Sequence, residues 1–155
     1  MPQKKKGGRR TGRRRAFEVL YGLTFAPVET MDDVRRLFKM TPERNEELEQ
    51  NPDGNRSEFA WTLVSGVWSN TESIDETVTK FSQHWKIKRI ARVELTILRL
   101  ALYEMLHVDD VPLKVAINEA IELAKRFGDD NSKNFINGIL DAVAKAIENG
   151  ELRVR

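Results

Sequence analysis

Between Ile90 and Ala146 the apolar positions repeat with the period of a helix, broken only by short polar stretches. Ile90 to Leu106 is apolar on nearly every side. At about 100° per residue, Val93, Ile97, Leu100 and Ala101 cover one face, while Leu95, Leu98, Leu102 and Leu106 cover much of the other. Such a helix belongs in the middle of a domain. Its 17 residues include Arg92, Glu94, Arg99 and Glu104, so it is too polar to span a bilayer. A second helix is predicted from Asp109-Asp110-Val111-Pro112, where acids suit the positive end of the macrodipole and a proline in the first turn loses no hydrogen bond. Leu113, Ala116, Ile117, Ala120, Ala124 and Phe127 form its apolar stripe, and Gly128 ends it. After the N-cap candidates Asp129 to Ser132, Phe135, Ile139, Ala142, Val143 and Ala146 mark a third helix. Asn137-Gly138 is a hairpin signal, but its flanks keep the 3.6 period. Ile117, Ala120, Phe127 and Ile139 are expected to be packing residues.

The N-terminal part has the same periodicity. A helix is predicted over Arg13 to Phe25, with Ala16, Val19, Leu20 and Leu23 as its core stripe. Thr30 with Asp33 resembles a capping box for a short helix within Pro27 to Lys39 that buries Met31, Val34, Leu37 and Phe38. Thr41 to Asn55, acidic and broken by Pro42, Pro52 and Gly54, reads as a loop. Helical period returns with Phe59, Leu63 and Val67, and continues through Ile74, Val78 and Phe81 after a break at Asn70-Thr71. Trp61 and Trp68 lie opposite Phe59, which leaves contact with another bundle, self-association as a homodimer, and burial in the chain's own core all open. The tail from Glu151 to Arg155 alternates like a strand but has no partner. The fold class is all-α: a helical bundle of about seven helices in two subdomains, with a flexible basic arm at 1–12, an N-terminal subdomain at 13–82 and a C-terminal one at 83–150.

Charge changes this picture more than composition does. The chain has 155 residues, 40% hydrophobic and 32% charged, enough for one ordinary domain or two small subdomains. Residues 1–15 hold eight Lys or Arg and no acid, so the other 140 carry 18 basic and 24 acidic side chains, a net of −6. A basic arm on an acidic body suits electrostatic capture of nucleic acid, although such an arm also serves simply as a solubilising terminus. Arg14, Phe17 and Tyr21 share one side of the first helix, and a guanidinium beside two rings is a platform for unstacked bases. Both rings also fit the core, and that alternative stays open.

Catalytic and metal-binding patterns are missing from the sequence. There is no cysteine, which excludes disulfides, thiolate metal sites and cysteine nucleophiles and is compatible with a reducing cytoplasm. His84 and His107 are isolated from other ligand types, Gly7, Gly8 and Gly12 do not follow a strand, and the Asp pairs sit at predicted helix starts. Ala16 to Phe25 carries Glu18 and no cleavage pattern, so neither a signal peptide nor a membrane span is expected. The reading is a binding protein, not an enzyme, with no cofactor and no metal.

Three strings in fixed order carry a more specific signal: ILRLALYEM (97–105), DVPLKVAINEAIELAKRFG (110–128) and SKNFINGILDAVA (132–144). Together with RRRAFEVLYGL (13–23) and the Trp85 to Arg89 segment, they resemble the NusB family of bacterial transcription antitermination proteins. The resemblance runs over most of Arg9 to Ala144 and is weakest in Pro27 to Asn55; the arm is longer and more lysine-rich than the family's pattern. The resemblance implies three N-terminal and four C-terminal helices, and binding of boxA RNA together with the ribosomal protein NusE. It further implies entry into the RNA polymerase antitermination complex in ribosomal RNA operons, in the cytoplasm. By position, the RNA-binding element would be the arginine-rich arm, with Arg9 and Arg10 leading into Arg13, Arg14 and Arg15, and with Tyr21, Glu94 and Phe135 on or near the RNA face. Two other readings remain. One is the N-terminal RNA-binding fragment of a ribosomal RNA cytosine methyltransferase, which would need a cofactor domain and a cysteine. The other is a protein–protein adaptor with an incidental basic tail.

Overall fold

The computed structural model describes residues 2–41, 55–83 and 86–153, and side chains over 8–41, 57–83 and 86–153. Its described residues form seven α-helices and one 3-10 turn: α1 (Pro2–Phe25), α2 (Met31–Met40), α3 (Asn55–Ser69), α4 (Thr71–Phe81), the turn Ile87–Arg89, α5 (Arg92–His107), α6 (Leu113–Phe127) and α7 (Ser132–Glu148). The all-α class is as the periodicity predicts. Among the described residues there is no strand, and no helix is long and apolar enough to cross a membrane. The predicted loop from 42 to 54, His84 and Trp85, and the tail residues 154 and 155 lie outside the described residues.

The chain divides into two compact units, Met1–Ser69 and Asn70–Arg155, whereas the sequence suggests a boundary near residue 82. In the first unit α3 packs along α1 and α2 packs on α3. Ala16, Phe17, Val19, Leu20 and Leu23 of α1, Val34 and Phe38 of α2, and Ala60, Leu63, Val64 and Val67 of α3 are buried. The helix α1 starts at Pro2, so the stretch expected as a flexible arm is helical. Three glycines each cost about 1 kcal/mol in a helix relative to alanine, and from Thr11 and Arg13 onward burial against α3 opposes that cost. The hydroxyl of Thr30 accepts from the Asp33 amide at 3.1 Å, the predicted cap of α2.

In the second unit α5 is the central helix, with α4, α6 and α7 packed on it. Ten of its 16 residues are buried, Glu104 among them. Arg99 donates twice to Asp75 at 2.8 Å, tying α5 to α4 with a bidentate pair. Two predicted helix ends differ in detail. Pro112 stands at the N-cap of α6 and no side chain caps it, so Asp109 and Asp110 precede the helix. Gly128 ends α6 in extended backbone (φ −96°, ψ −174°), not in the left-handed region. What demands a glycine there is space: a Cβ would sit 2.6 Å from Ser132 Oγ. That close turn is held by Asp129, whose carboxylate accepts from the Asn131 and Ser132 amides at 2.9 and 3.1 Å. Asn137 and Gly138 are both helical, inside α7.

Of the expected packing residues, Ala120 and Ile139 are buried, while Ile117 and Phe127 are half-buried. Ile136 is one of three fully enclosed branched chains on α7, with Leu140 and Val143, each at 0% exposure. Ile136→Ala should therefore cost roughly 2–5 kcal/mol in denaturant unfolding, the usual loss for a buried branched chain. Ile117→Ala should cost clearly less. Equal losses would contradict this placement of the two side chains.

Candidate nucleic-acid interface

The five arginines from Arg9 to Arg15 lie on one helix but do different things. Arg10 is exposed, and Arg9 and Arg14 are half-buried. Arg13 is only 4% exposed. Arg9 and Arg13, one turn apart, both lie over the Phe59 ring of α3, with guanidinium carbons 4.6 and 5.2 Å from its centroid. Arg15 is drawn to the other side. Its Nε donates to the Thr41 carbonyl at 2.9 Å, Nη2 donates to the Phe38 carbonyl at 2.9 Å, and Nη1 donates to Ser57 Oγ at 3.3 Å. Its guanidinium carbon is also 3.8 Å from the centroid of the Phe38 ring.

This geometry fits the physics of helix ends. The last carbonyls of α2 carry the negative end of the macrodipole, and the Phe38 carbonyl, which also accepts from the Thr41 amide at 3.2 Å, keeps a second lone pair for a cation that donates to it. Phe38 in turn lies 5.3 Å from Trp61, and Trp61 lies under Arg35 at 5.2 Å. Trp61 is therefore engaged within its own unit, although half-exposed. Buried Arg13 and half-buried Arg15 thus make contacts that fasten α1 to its neighbours. A run of cations read along a sequence does not distinguish a side chain facing water from one facing a ring.

The aromatic platform is also only partly formed. Phe17 is 2% exposed and belongs to the core, so its face is not available to a base. Tyr21 stacks on Phe17 (5.6 Å, 8° between planes) and meets Phe25 edge-on at 5.0 Å. Phe25 is 57% exposed. The three rings, four residues apart along α1, lead from core to surface, with half-buried Tyr21 between them. Sequence reasoning missed Phe25 as the exposed end of this row, and Phe59 and Phe38 as partners of arginines. Phe25 was visible at the four-residue spacing; the other two were assigned to the core, and nothing local to them announces a cation.

Glu94 and Phe135 belong to the second unit. Glu94 is half-buried in the first turn of α5, where an acid suits the helix dipole. Phe135 is half-buried near the start of α7. His107 stacks on Tyr103 at 5.1 Å, and burial raises the Tyr103 phenol above its ordinary pKa. Among the described residues no group of three or more His, Asp or Glu is placed to hold a metal ion.

The elements define an all-α protein with eight of its 26 Lys and Arg on its first helix. Comparison with known proteins makes the class specific. The model of the NusB family matches residues 10–145. The transcription antitermination protein NusB of Desulfovibrio desulfuricans is 53% identical over 154 residues, covering 99% of this chain and 94% of that protein. A solved structure of T. maritima NusB superposes with a TM-score of 0.78 at 34% identity, over 93% of this chain and 97% of that one. A crystal structure of the antitermination factors NusB and NusE in complex with dsRNA matches with a TM-score of 0.71 at 28% identity, over 94% and 99% of the two chains. The chain belongs to the NusB family. It is a regulatory transcription antitermination factor and not an enzyme.

The division of labour among the arginines is measurable. Arg15→Ala removes hydrogen bonds from a charged donor and should destabilise the protein by about 1–3 kcal/mol. Arg15→Lys should recover little, because an ammonium has neither the planar fork nor the stacking face. Arg10→Ala, at an exposed position, should stay within about 0.5 kcal/mol of wild type. Denaturant unfolding of the three variants checks this, and wild-type stability of Arg15→Ala would refute the clamp.

Proposed function

We propose that the protein binds boxA-type single-stranded RNA together with the ribosomal protein NusE, and that this complex joins RNA polymerase to suppress termination in ribosomal RNA operons. The observation that carries this reading is the exposed part of α1, where Arg10 and half-exposed Arg14 share one side with Tyr21 and half-exposed Arg9 lies over Phe59 on the adjacent side. Cations of this kind neutralise phosphates and release counterions, a term that sets much of the affinity for any RNA. A half-exposed ring beside them offers a face on which an unpaired base stacks. The structural neighbour that contains NusE and RNA supports the same reading, and the place of action is the bacterial cytoplasm. In this assignment Arg9, Arg10 and Arg14 meet the phosphates and Tyr21 stacks. Glu94 and Phe135 contribute from the second unit, and Arg13 and Arg15 act indirectly by holding α1.

Fluorescence anisotropy with a boxA-type RNA oligonucleotide over a salt series tests the proposal. Each phosphate contact contributes a slope of about −0.7 in log affinity against log salt for single strands. Replacing Arg9, Arg10 and Arg14 together by alanine should therefore flatten the slope by about two, and an unchanged slope would remove α1 from the site. Tyr21→Ala should weaken binding by about 1–3 kcal/mol while Tyr21→Phe changes little, since the π face carries the contact. Full affinity in a folded Tyr21→Ala protein would dismiss the stacking role. Adding NusE should tighten binding in the wild type.

A further inference from the structure

The two arginines that share one ring divide into a buried member and a half-exposed one. Phe59 lies on α3, the helix that packs along α1. Arg13, 4% exposed, is 5.2 Å from the ring centroid on the inner turn. Arg9, one turn closer to the N-terminus and half-exposed, is 4.6 Å from the same centroid. Two like charges thus share one ring, each within cation–π distance of its centroid.

We infer that Phe59 is a positioning residue for RNA: its ring holds the Arg9 guanidinium in the orientation in which it meets a phosphate. This rests on the proposed RNA-binding role of α1. An arginine side chain carries about 2 kcal/mol of rotamer entropy that binding would otherwise have to remove. The contact with the ring restricts that freedom before the ligand arrives. A phosphate is recognised through the N–H donors of the guanidinium, by two parallel hydrogen bonds. Arg10 is exposed on the adjacent side of the helix. The first unit thus uses Phe59 twice, with Arg13 to fix α1 on α3 and with Arg9 to present a cation.

The test is a double-mutant cycle on the full chain, read by anisotropy with the boxA-type RNA oligonucleotide. Phe59→Leu keeps the apolar bulk and removes the π face. It should weaken RNA binding roughly three- to ten-fold, the scale of one cation–π contact, and Phe59→Tyr should restore it. The salt slope should stay as in wild type, because the number of cations is unchanged, whereas Arg9→Ala should flatten it by about 0.7. In the Arg9→Ala background Phe59→Leu should have no further effect on affinity. A purely structural role for the ring would give additive losses, and that result overturns the inference. Should Phe59→Leu fold poorly, Arg9→Lys answers the same question at a half-exposed position: it keeps the charge and loses the stacking plane, so it should lose several-fold in affinity. Wild-type affinity of Arg9→Lys, or of Arg9→Ala, would also overturn the inference while leaving RNA binding itself intact. Failure of the wild-type protein to bind the RNA at all would instead refute the proposed function.

Discussion

The guanidinium of Arg15, stacked on the Phe38 ring and donating to the Phe38 and Thr41 carbonyls and to Ser57, joins three helices at a single group. The first unit depends on it. Its α1 has no acid in its first turn and three glycines among its first twelve residues, so intrinsic propensity alone does not sustain it. What sustains it is burial from Thr11 onward and arginines that satisfy the open end of α2 and lie over rings of α2 and α3. Arginine suits this place because its weakly hydrated plane packs against an aromatic face and its fork still reaches carbonyl oxygens. A lysine in its place could donate to a carbonyl but would have no plane to lie on the Phe38 ring.

The second unit solves the same problem with apolar packing. Its α5 is enclosed by α4, α6 and α7, pairs Arg99 with Asp75 and carries Glu94 in its first turn. The Gly128–Ser132 turn brings α6 and α7 as close as a missing Cβ allows. One unit therefore carries its basic residues on a helix that they also help to hold. The other provides a packed frame whose proposed contributors to RNA binding, Glu94 and Phe135, are single side chains near helix starts.

Much of this was legible in the sequence because it is local. The 3.6 period locates α5, α6 and α7 to within a few residues, Thr30 caps α2, and Asn137-Gly138 yields to the helical pattern around it. Family membership was legible in three strings of the second unit. The allocation of Arg9 to Arg15 was not legible, since it depends on Phe38 and Phe59, which are distant in sequence and read as ordinary core positions. The helical start of α1 was hidden for the same reason: its glycines argue against a helix, and the packing that opposes their cost comes from α3. Phe17 illustrates the ambiguity of a helical aromatic, since the spacing that set it beside Tyr21 also set it in the core.

The central claim is that one helix, fastened from within by Arg13 and Arg15, receives RNA on its outer side. The most direct measurement is photocrosslinking of a 4-thiouridine-substituted boxA-type RNA to the full chain, with the modified residues identified by mass spectrometry. The account predicts crosslinks on α1 between Arg9 and Tyr21, with Arg13 and Arg15 unmodified because they face the protein. Crosslinks confined to other helices, with none on α1, would contradict it.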